Sequence, residues 1–531
     1  KKEFGVRSTD IFLPDCFGFG YTLPTIAAHS GLIGMSTQKL SWRNHDFYDA
    51  PYHKKNPFSW GVWYGIDGSS VIAAFDTGGY NSELPENVQY NERLMERAAH
   101  GYDNTCFRYY AGGGEGVGDK GNSGTVTTCR RLTKAINDPN APIEIISATS
   151  DDLFKAYLGR KAELPSFDGE LLMDVHATGC YTSQTAMKYY NRRNEELTGA
   201  AERAAVAADW LGALAYDQRK LTEIWQRFIW HQFHDDLTGT SIPEAYTWSW
   251  NDELIALRQG GDVMNSAVGA LSYSLDTRVK GTPVVVYNAV TYPVKAVVEA
   301  EIPLAAKAKG VAVYGPDGRR VAAQILSREG DKAVIAFAAD VKSVGYAVYD
   351  VRPASPARSS TLKVNGNTIE NAVYKVTLDR NGDIASLVDK RYGRELVEQG
   401  KAFRLAIFEG NPSNEWPAWE VLKEVVDKTP RAVTDNVSVS VGEEGSVRAS
   451  LKVERTYGDS KFTQYITLTD GAQDDRIDIR TTVDWNSRNT LLKAEFPMSV
   501  SNAKAAYDLG IGFIERGNNT ATAYEVPALK W

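Results

Sequence analysis

The chain has 531 residues, which is too long for a single hydrophobic core and predicts about three domains. Its hydrophobic fraction of 43% and charged fraction of 24% are typical of a globular protein. A formal net charge of −8 argues against nucleic acid or an anionic membrane as the main partner. The four cysteines show no C-x-x-C pair and no disulfide-framework density, and no apolar run is long enough to span a membrane.

The first part of the chain, to about residue 150, alternates short apolar runs with helical patterns, which predicts an α/β region. Three stretches read as strands or strand ends: GLIGMSTQKLSW, SSVIAAFDT and PIEIISAT. Two stretches between them, NERLMERAAHGY and TVTTCRRLTKAIND, have a helical pattern. Loops at the carboxyl ends of such strands commonly carry the chemistry of an α/β domain.

From about residue 185 the pattern becomes helical, and from about residue 280 it becomes β. Three amphipathic segments keep apolar residues at three- and four-residue spacing, which predicts a three-helix bundle within residues 161–278. One of them, DQRKLTEIWQRFIWHQFHDDL, is expected to be helical to its end. Period-two strands and turns such as PDGR follow. They predict a small β domain at 279–355 and a large β-sandwich domain at 356–531, which we expect to be incomplete at its C-terminus.

The densest cluster of polar chemistry is WHQFHDDLTGT, residues 230–240. His231, His234 and Asp235 are spaced so that they can share one face of a helix. Imidazole and carboxylate are ligands that suit zinc or a similar divalent ion, although a tetrahedral site needs further ligands from elsewhere. The alternative is a helix C-terminus at which the histidines cap carbonyls and the aspartates are solvated.

Two other stretches place carboxylates among glycines. In LPDCFGFG, Asp15 follows a rigid proline, and the glycines allow the main chain to approach a ligand closely; an ordinary loop turn is the alternative. In YYAGGGEGVGDKGNSG, glycines surround Glu115 and Asp119. A surface loop or a phosphate-binding loop are the alternatives there, and the missing G-K-[ST] ending weakens the phosphate interpretation.

Several of these stretches together resemble glycoside hydrolase family 38, the α-mannosidases. LPDCFGFGYTLPTIAAHSGLIGMSTQKLSW is similar to the nucleophile strand and loop of the family, with its P-D-x-F-G, L-P and T-Q-K pattern. HQFHDDLTGT resembles its H-x-x-H-D-x-x-x-G-T segment, and HATGCYTSQTAMKYYNRRNEE resembles its entry into the helical region. VGDKGNSG resembles its glycine-rich loop more loosely. IENAVYKVTLDRNGDIASLVDKRYGRE and YDLGIGFIERG look like its C-terminal β region, so the likeness covers nearly the whole chain.

The resemblance implies retaining, metal-dependent hydrolysis of α-mannosidic bonds in mannose-containing oligosaccharides, through a covalent glycosyl-enzyme. It implies that Asp15 is the nucleophile and a zinc ligand, and that His234, rather than His231, is the second metal ligand. Asp119 is the best match to the general acid/base, with Glu115 in reserve. Four further positions would bind or border the sugar: Phe17, Asp235, Tyr80 and His176.

One departure from the family pattern concerns the metal. The family takes two further zinc ligands from an H-x-D pair that precedes the nucleophile, whereas the only such pair here begins at His234. We therefore expect a fragment in which residues 1–160 form only part of an α/β barrel-like catalytic domain, without its N-terminal portion. Such a fragment should bind one zinc or other divalent ion weakly and hydrolyse little. The compartment stays open, with a bacterial periplasmic or secreted protein as the working hypothesis, and a homo-oligomer is compatible with the sequence.

Three other functions remain open at this point. A family relative that cleaves mannosyl-glycerate-type substrates would carry a basic pocket for the charged aglycone. A different metal-dependent hydrolase, such as a deacetylase, could use the same His-Asp cluster. A non-catalytic carbohydrate-binding protein could use the β region and the aromatic residues, with the carboxylates incidental.

Overall fold

The computed structural model describes most of the chain, and the following account concerns these residues: 4–40, 56–77, 83–110, 126–173, 175–355, 360–410, 413, 416–521 and 523–530. Within these ranges, no helix is both long enough and apolar enough to cross a membrane.

The N-terminal region is built on a mixed five-stranded sheet in the order β1-β3-β5-β4-β6, in which only the β4/β5 pair is antiparallel. The short strands β2 and β7 pair separately. The strands are β1 (Asp10–Phe12), β2 (Gly18–Phe19), β3 (Gly34–Ser36), β4 (Trp60–Tyr64), β5 (Ser70–Ala74), β6 (Ser166–Asp168) and β7 (Leu171–Leu172). The helices are α1 (Leu23–His29), α2 (Glu92–His100), α3 (Val126–Ile136) and α4 (Asp152–Tyr157).

Side chains that alternate between the two faces of β4 and β5 are apolar on both, and the sheet is therefore buried on both faces. Trp63 and Val71 belong to one apolar cluster, while Val62 and Ile72 belong to the cluster on the other side. Successive side chains of a strand point to opposite faces, so continuous apolar runs fit a sheet covered on both sides. The α/β character is therefore confirmed, whereas closure into a barrel stays a prediction.

The strand predicted at PIEIISAT is wrong, because residues 142–149 contain no strand. Its apolar alternation has another cause. Ile143 and Ile145 pack against a cluster formed by Leu94 of α2 and Ala135 of α3, so the segment covers helices and does not extend the sheet.

Three helices form the middle of the chain: α5 (Thr185–Trp210), α6 (Gln218–Trp230) and α7 (Pro243–Tyr273). Alanines at three- and four-residue spacing on α5 pack with Ile224 and Phe228 of α6 and Ala256 of α7 in one core. Helix α6 ends at Trp230, and His231 is its C-terminal cap. The expectation that the helix continues through residue 237 is therefore wrong, and His231, His234 and Asp235 do not share a helix face.

The remainder of the chain is rich in β-sheet. Sheets β11-β10-β14-β8 and β12-β13-β9 contribute to one apolar core. Their strands are β8 (Thr282–Asn288), β9 (Val294–Pro303), β10 (Gly310–Tyr314), β11 (Arg320–Val321), β12 (Ala323–Glu329), β13 (Lys332–Val341) and β14 (Gly345–Ala354).

A second pair of sheets, β15-β16-β17-β18-β19 and β22-β23-β24-β25, contributes to another core. Strands β21, β20 and β26 form a small sheet beside it, and β27 and β28 form a hairpin. The elements are β15 (Lys363–Asn365), β16 (Thr368–Glu370), β17 (Tyr374–Leu378), β18 (Ile384–Asp389), β19 (Arg394–Glu395), β20 (Arg404–Glu409), α8 (Lys423–Val426), β21 (Arg431–Ala432), β22 (Asp435–Glu443), β23 (Arg448–Tyr457), β24 (Ser460–Thr469), β25 (Asp478–Asp484), β26 (Thr490–Glu495), β27 (Lys504–Asp508) and β28 (Phe513–Gly517).

Candidate active site

Asp15 lies in the loop that follows the carboxyl end of β1. The backbone N–H of Leu13 donates to the carbonyl of Ser36 at 3.0 Å, which continues the β1/β3 alignment into this loop. Gly18 closes the loop with φ at +102°, and a Cβ there would lie 2.9 Å from the carbonyl oxygen of Leu171, so glycine is required. The loop therefore holds the Asp15 carboxylate, which is only 14% exposed, in a defined position at the end of a parallel strand.

Two donors from the residues just after β3 contact the Asp15 carboxylate at the same oxygen. Lys39 Nζ lies 3.4 Å from Asp15 Oδ1, and Gln38 Nε2 donates to that oxygen at 3.3 Å. The Lys39 ammonium also lies 4.6 Å from the centroid of the Phe17 ring, within cation–π range. The T-Q-K stretch thus brings a cation and an amide to the predicted nucleophile.

His176 connects this loop to the C-terminal β region. Its ring lies 6.0 Å from that of Phe17 and 5.5 Å from that of Trp416. Its Nδ1 is 3.0 Å from Glu420 Oε1, and Ser413 Oγ donates to Glu420 Oε2 at 2.8 Å. Burial lowers the pKa of His176, and the hydrogen bond to Glu420 opposes that change. His176 therefore forms part of a buried polar and aromatic wall beside Phe17.

Residues 178–183 dock directly on the segment that carries Glu420. The N–H of Gly179 donates to the carbonyl of Trp419 at 2.8 Å, and Ser183 Oγ donates to the carbonyl of Ala418 at 2.6 Å. A Cβ at Gly179 would lie 2.7 Å from the backbone nitrogen of Glu420, so the two backbones approach as closely as glycine permits. The C-terminal region thereby borders the candidate site.

His231 is held between two aspartates, which indicates a structural role for this histidine. Its Nδ1 lies 2.7 Å from Asp236 Oδ2 and its Nε2 lies 3.3 Å from Asp252 Oδ2. Ser249 Oγ also donates to Asp236 Oδ2 at 2.9 Å. The hydrogen bond to Asp236 raises the pKa of His231 against the opposing effect of burial. Both ring nitrogens are engaged in fastening the turn after α6 to α7.

The turn after α6 presents His234 and Asp235. His234 Nε2 lies 3.5 Å from Asp235 Oδ2, and Thr240 Oγ1 donates to Asp235 Oδ1 at 2.7 Å. The exposed ring of Phe233 lies 4.1 Å from the His234 ring. Asp235 therefore has one carboxylate oxygen fixed by a hydroxyl and the other directed to an imidazole.

Cys16 shows that this turn lies near the Asp15 loop. Burial raises the pKa of the Cys16 thiol to about 11, the Asp15 and Asp235 carboxylates add to the increase, and Lys39 opposes it. Because Coulombic interactions weaken with distance, Asp15 and Asp235 must both lie in the neighbourhood of one thiol. Phe17 of the Asp15 loop therefore lies beside His176, and the Asp235 charge acts on the Cys16 thiol of the same loop; that these residues form one site stays a prediction.

Three predicted site residues, Tyr80, Glu115 and Asp119, lie outside the described residues. Within the described ranges, no group of three or more His, Cys, Asp or Glu side chains is arranged to hold a metal ion. Asp15 and His234 have suitable donor atoms, but Asp15 Oδ1 is contacted by Lys39 and Gln38. The described residues alone do not complete a metal site, and we assign no chemical step to one.

Comparison with known protein families covers most of the chain. The model described as glycosyl hydrolases family 38 N-terminal domain matches residues 1–170. The alpha mannosidase middle domain matches 175–271, and the glycosyl hydrolases family 38 C-terminal domain matches 369–531.

The chain belongs to glycoside hydrolase family 38. Because the family's N-terminal domain is matched, the expectation of a fragment without that part of the catalytic domain is not borne out. The multidomain organisation, with a mixed α/β region and a sheet-rich C-terminal region, is that of family 38.

Curated proteins named as α-mannosidases align with the whole of this chain. Alpha-mannosidase 2C1 from Mus musculus is 26% identical across 100% of the chain, which covers 48% of that relative. Alpha-mannosidase G from Dictyostelium discoideum is 27% identical across 100% of the chain, which covers 50% of that relative. The chain therefore spans about half the length of the curated relatives it matches.

Solved structures show the same fold. An alpha-mannosidase from Enterococcus faecalis V583 aligns with 99% of this chain and 66% of its own, with a TM-score of 0.76 and 17% identity. A second structure, a protein in the glycosyl hydrolase family 38 from Enterococcus faecalis, aligns with 97% of this chain and 64% of its own, with a TM-score of 0.71 and 16% identity.

Sequence reasoning missed three groups of this candidate site: Lys39 and Gln38 beside Asp15, and Glu420 beside His176. The T-Q-K stretch contributed to the resemblance, but its side chains received no role. WPAWE, residues 416–420, combines two tryptophans with a carboxylate, and that composition was the available signal for the third group.

Proposed function

We propose that this chain hydrolyses α-mannosidic bonds in mannose-containing glycans with retention at the anomeric carbon. Its membership of family 38 supports a glycoside hydrolase, and the aligned curated relatives are named as α-mannosidases. The single observation that carries the proposal is the placement of Asp15, a largely buried carboxylate held at a strand end beside Phe17, His176 and Lys39.

Asp15 acts as the nucleophile in this mechanism. Retaining hydrolysis uses two carboxyl groups roughly 5 Å apart. The Asp15 carboxylate forms a bond to the anomeric carbon while the glycosidic oxygen departs and takes a proton from the second carboxyl group. In the second half-reaction that carboxylate accepts a proton from water, and the hydroxyl replaces Asp15 on the sugar. We assign the second carboxyl group to Asp119, with Glu115 as the alternative.

The surrounding side chains bind and orient the sugar. Phe17 supplies an aromatic face, and the His176 ring packs beside it and is held by Glu420. The Asp235 side chain is 39% exposed and accepts a hydrogen bond from Thr240. We propose that its carboxylate also accepts hydrogen bonds from sugar hydroxyls. Tyr80 remains a proposed contact on the basis of the resemblance.

Metal dependence is a separate part of the proposal. Asp15 and His234 would supply a carboxylate oxygen and an imidazole nitrogen to one zinc or similar divalent ion. Bound there, such an ion would polarise sugar hydroxyls and stabilise charge in the transition state. Dialysis against a chelator should remove about one metal equivalent per chain, measured by elemental mass spectrometry, and should lower activity that returns when zinc is added. Full activity of the metal-stripped chain would refute this part.

The experiment that tests the function compares an aryl α-mannoside with the matching aryl glucoside as substrates. We expect the chain to cleave the mannoside, and Asp15→Asn to lower turnover by about 10⁴-fold or more while sugar binding persists. The first-formed mannose, followed by proton NMR, should have the α configuration.

Asp151→Asn is the matched control, because the Asp151 side chain is 16% exposed, close to the 14% of Asp15, and also pairs with a lysine, Lys155 at 2.6 Å. Asp151 also accepts a hydrogen bond from Thr9, which precedes β1, so it lies at the other end of that strand. Its variant should keep turnover within threefold of the parent chain. Binding of mannosides without any turnover by the parent chain would refute the proposal in favour of a carbohydrate-binding protein, and cleavage confined to mannosyl-glycerate would revise the substrate.

A further inference from the structure

Lys39 is a buried cation that forms an ion pair with Asp15, the predicted nucleophile. Its side chain is only 6% exposed, and its Nζ pairs with the Asp15 carboxylate at 3.4 Å. An ammonium group is expensive to remove from water, so a lysine is rarely buried unless it is paired with an anion or hydrogen-bonded. A neutral residue at this position would fill the same space without that cost, and the presence of lysine indicates a role for its charge.

The backbone that carries Lys39 is fastened to the centre of the sheet. The N–H of Thr37 donates to the carbonyl of Ala74 at 3.0 Å, and Thr77 Oγ1 donates to the carbonyl of Thr37 at 3.0 Å. Thr37 directly follows β3, which is hydrogen-bonded to β1 on one side and to β5 on the other. Side chains mounted on such a strand end are held more precisely than side chains on a free loop.

Lys39 and Gln38 both contact Oδ1 of Asp15, as described above, so two donors from this anchored segment select one oxygen of the carboxylate. Two donors at one oxygen restrict rotation of the carboxyl group about its χ2 bond. The contact of Lys39 with the Phe17 ring ties the same ammonium group to the aromatic wall of the site. The Lys39 ammonium group therefore contacts both the Asp15 carboxylate and the Phe17 ring.

We propose that Lys39 is a positioning residue for the nucleophile. It fixes the orientation of the Asp15 carboxylate and holds that carboxylate in a set position relative to the Phe17 ring. This inference rests on the proposed function, because it assigns a role to Lys39 in the glycosylation step that Asp15 performs. The alternative is that Lys39 stabilises only the fold.

The central variant is Lys39→Met, which keeps most of the side-chain volume and removes the charge. A misplacement of reacting groups by about 1 Å costs on the order of 100-fold in rate, so we expect turnover of a 4-nitrophenyl α-mannoside to fall by about that factor. The KM should stay within threefold, because the sugar-binding groups are unchanged. Lys39→Arg, which restores the cation, should recover at least tenfold of the lost turnover.

A better leaving group separates an effect on the nucleophile from an effect on the general acid. Departure of 2,4-dinitrophenolate needs little proton donation, so a defect in the acid is relieved with that substrate, whereas a defect in the nucleophile persists. We expect the loss in Lys39→Met to persist with the dinitrophenyl mannoside. If the dinitrophenyl mannoside relieves the loss, the inference is overturned. It is also overturned if Lys39→Met keeps turnover within threefold of the parent chain, or if Lys39→Arg is as slow as Lys39→Met.

Lys161→Met is the matched control, because Lys161 is another lysine whose ammonium group contacts the N-terminal sheet. Lys161 Nζ donates to the carbonyl of Ser70 at 2.9 Å and to its hydroxyl at 2.6 Å, at the start of β5. This variant should keep turnover within threefold. An equal loss in Lys161→Met and Lys39→Met would show that both lysines act through the fold, which would overturn the positioning role.

A thermal unfolding cycle tests the pair without any use of turnover. If Lys39 and Asp15 are coupled, Lys39→Met and Asp15→Asn should each lower the unfolding midpoint, and the double variant should lower it by clearly less than the sum. Additive shifts would overturn the inference even in an active enzyme. Coupled shifts in a parent chain that cleaves no mannoside would instead refute the proposed function, and with it the catalytic role assigned to the pair.

Discussion

Glu253 is a buried carboxyl group whose surroundings determine how strongly the stability of the chain depends on pH. This residue of α7 is 0% exposed, and Asn194 Nδ2 of α5 donates to its Oε2 at 2.5 Å. Burial raises the pKa of Glu253 from 4.5 to about 7, with smaller increases from Asp236 and Glu195, while Asn194 and His231 oppose the change. The carboxyl group is therefore neutral in the folded chain at mildly acidic pH.

The sign of the pH dependence follows from which state loses its proton first. Below pH 4.5 the carboxyl group is neutral in both the folded and the unfolded chain. Between 4.5 and about 7 only the unfolded chain ionises, so the free energy of unfolding falls as the pH rises. At 1.36 kcal/mol for each pKa unit, the full loss above pH 7 is about 3 kcal/mol. Glu253→Gln cannot ionise and should not show this loss.

Amide hydrogen exchange in α5 and α7 is the suitable assay, because a multidomain chain need not unfold in one step. We expect Glu253→Gln and the parent chain to have similar protection near pH 5 and to differ by on the order of 100-fold near pH 8, with the variant better protected. Glu244→Gln, at an exposed position in the first turn of α7, is the control and should leave the pH dependence unchanged. A Glu253→Gln effect of the same size at both pH values would refute the reasoning.

Two other substitutions have expected outcomes set by packing and charge. Gly179→Ala places a Cβ 2.7 Å from the backbone of Trp419 and of Glu420, so it should lower stability by about 1–3 kcal/mol and reduce mannoside turnover. Unchanged melting and turnover would contradict that close approach. Asp383→Ala removes the carboxylate that pairs with Arg455 at 2.6 Å, in a site where both side chains are almost wholly buried. Denaturant unfolding should show a loss of about 3–5 kcal/mol, whereas a loss under 1 kcal/mol would show that the pair is not coupled.

The sequence predicted elements well where a local pattern is repeated. Apolar runs predicted β3 and β5, and apolar residues at three- and four-residue spacing predicted α5, because burial on one face imposes its period on the chain. The same logic failed at PIEIISAT, where alternating isoleucines cover helices and do not pair in a sheet. It also failed after Trp230, because Thr240 and Ser249 bond to the aspartates of the turn that follows α6.

The sequence predicted candidate site residues that lie in short local motifs, and it did not predict their partners. Asp15, Phe17, His176 and Asp235 belong to short stretches with recognisable spacing, and the ring contact of Phe17 with His176 joins two of these stretches. The partners of these residues come from far along the chain: Glu420 is 244 positions from His176, and Lys39 is 24 positions from Asp15. Contacts at such separations are set by the tertiary fold and leave no periodic signal in the sequence.

The most direct test of the central claim is the identification of the residue that becomes covalently attached to the sugar. A fluorinated α-mannosyl fluoride that forms the glycosyl-enzyme quickly and hydrolyses it slowly should add one sugar mass to the chain. Peptide mapping by mass spectrometry should place that mass on Asp15. Attachment at another carboxylate, or cleavage of the reagent without a covalent adduct and with inverted product, would contradict the account.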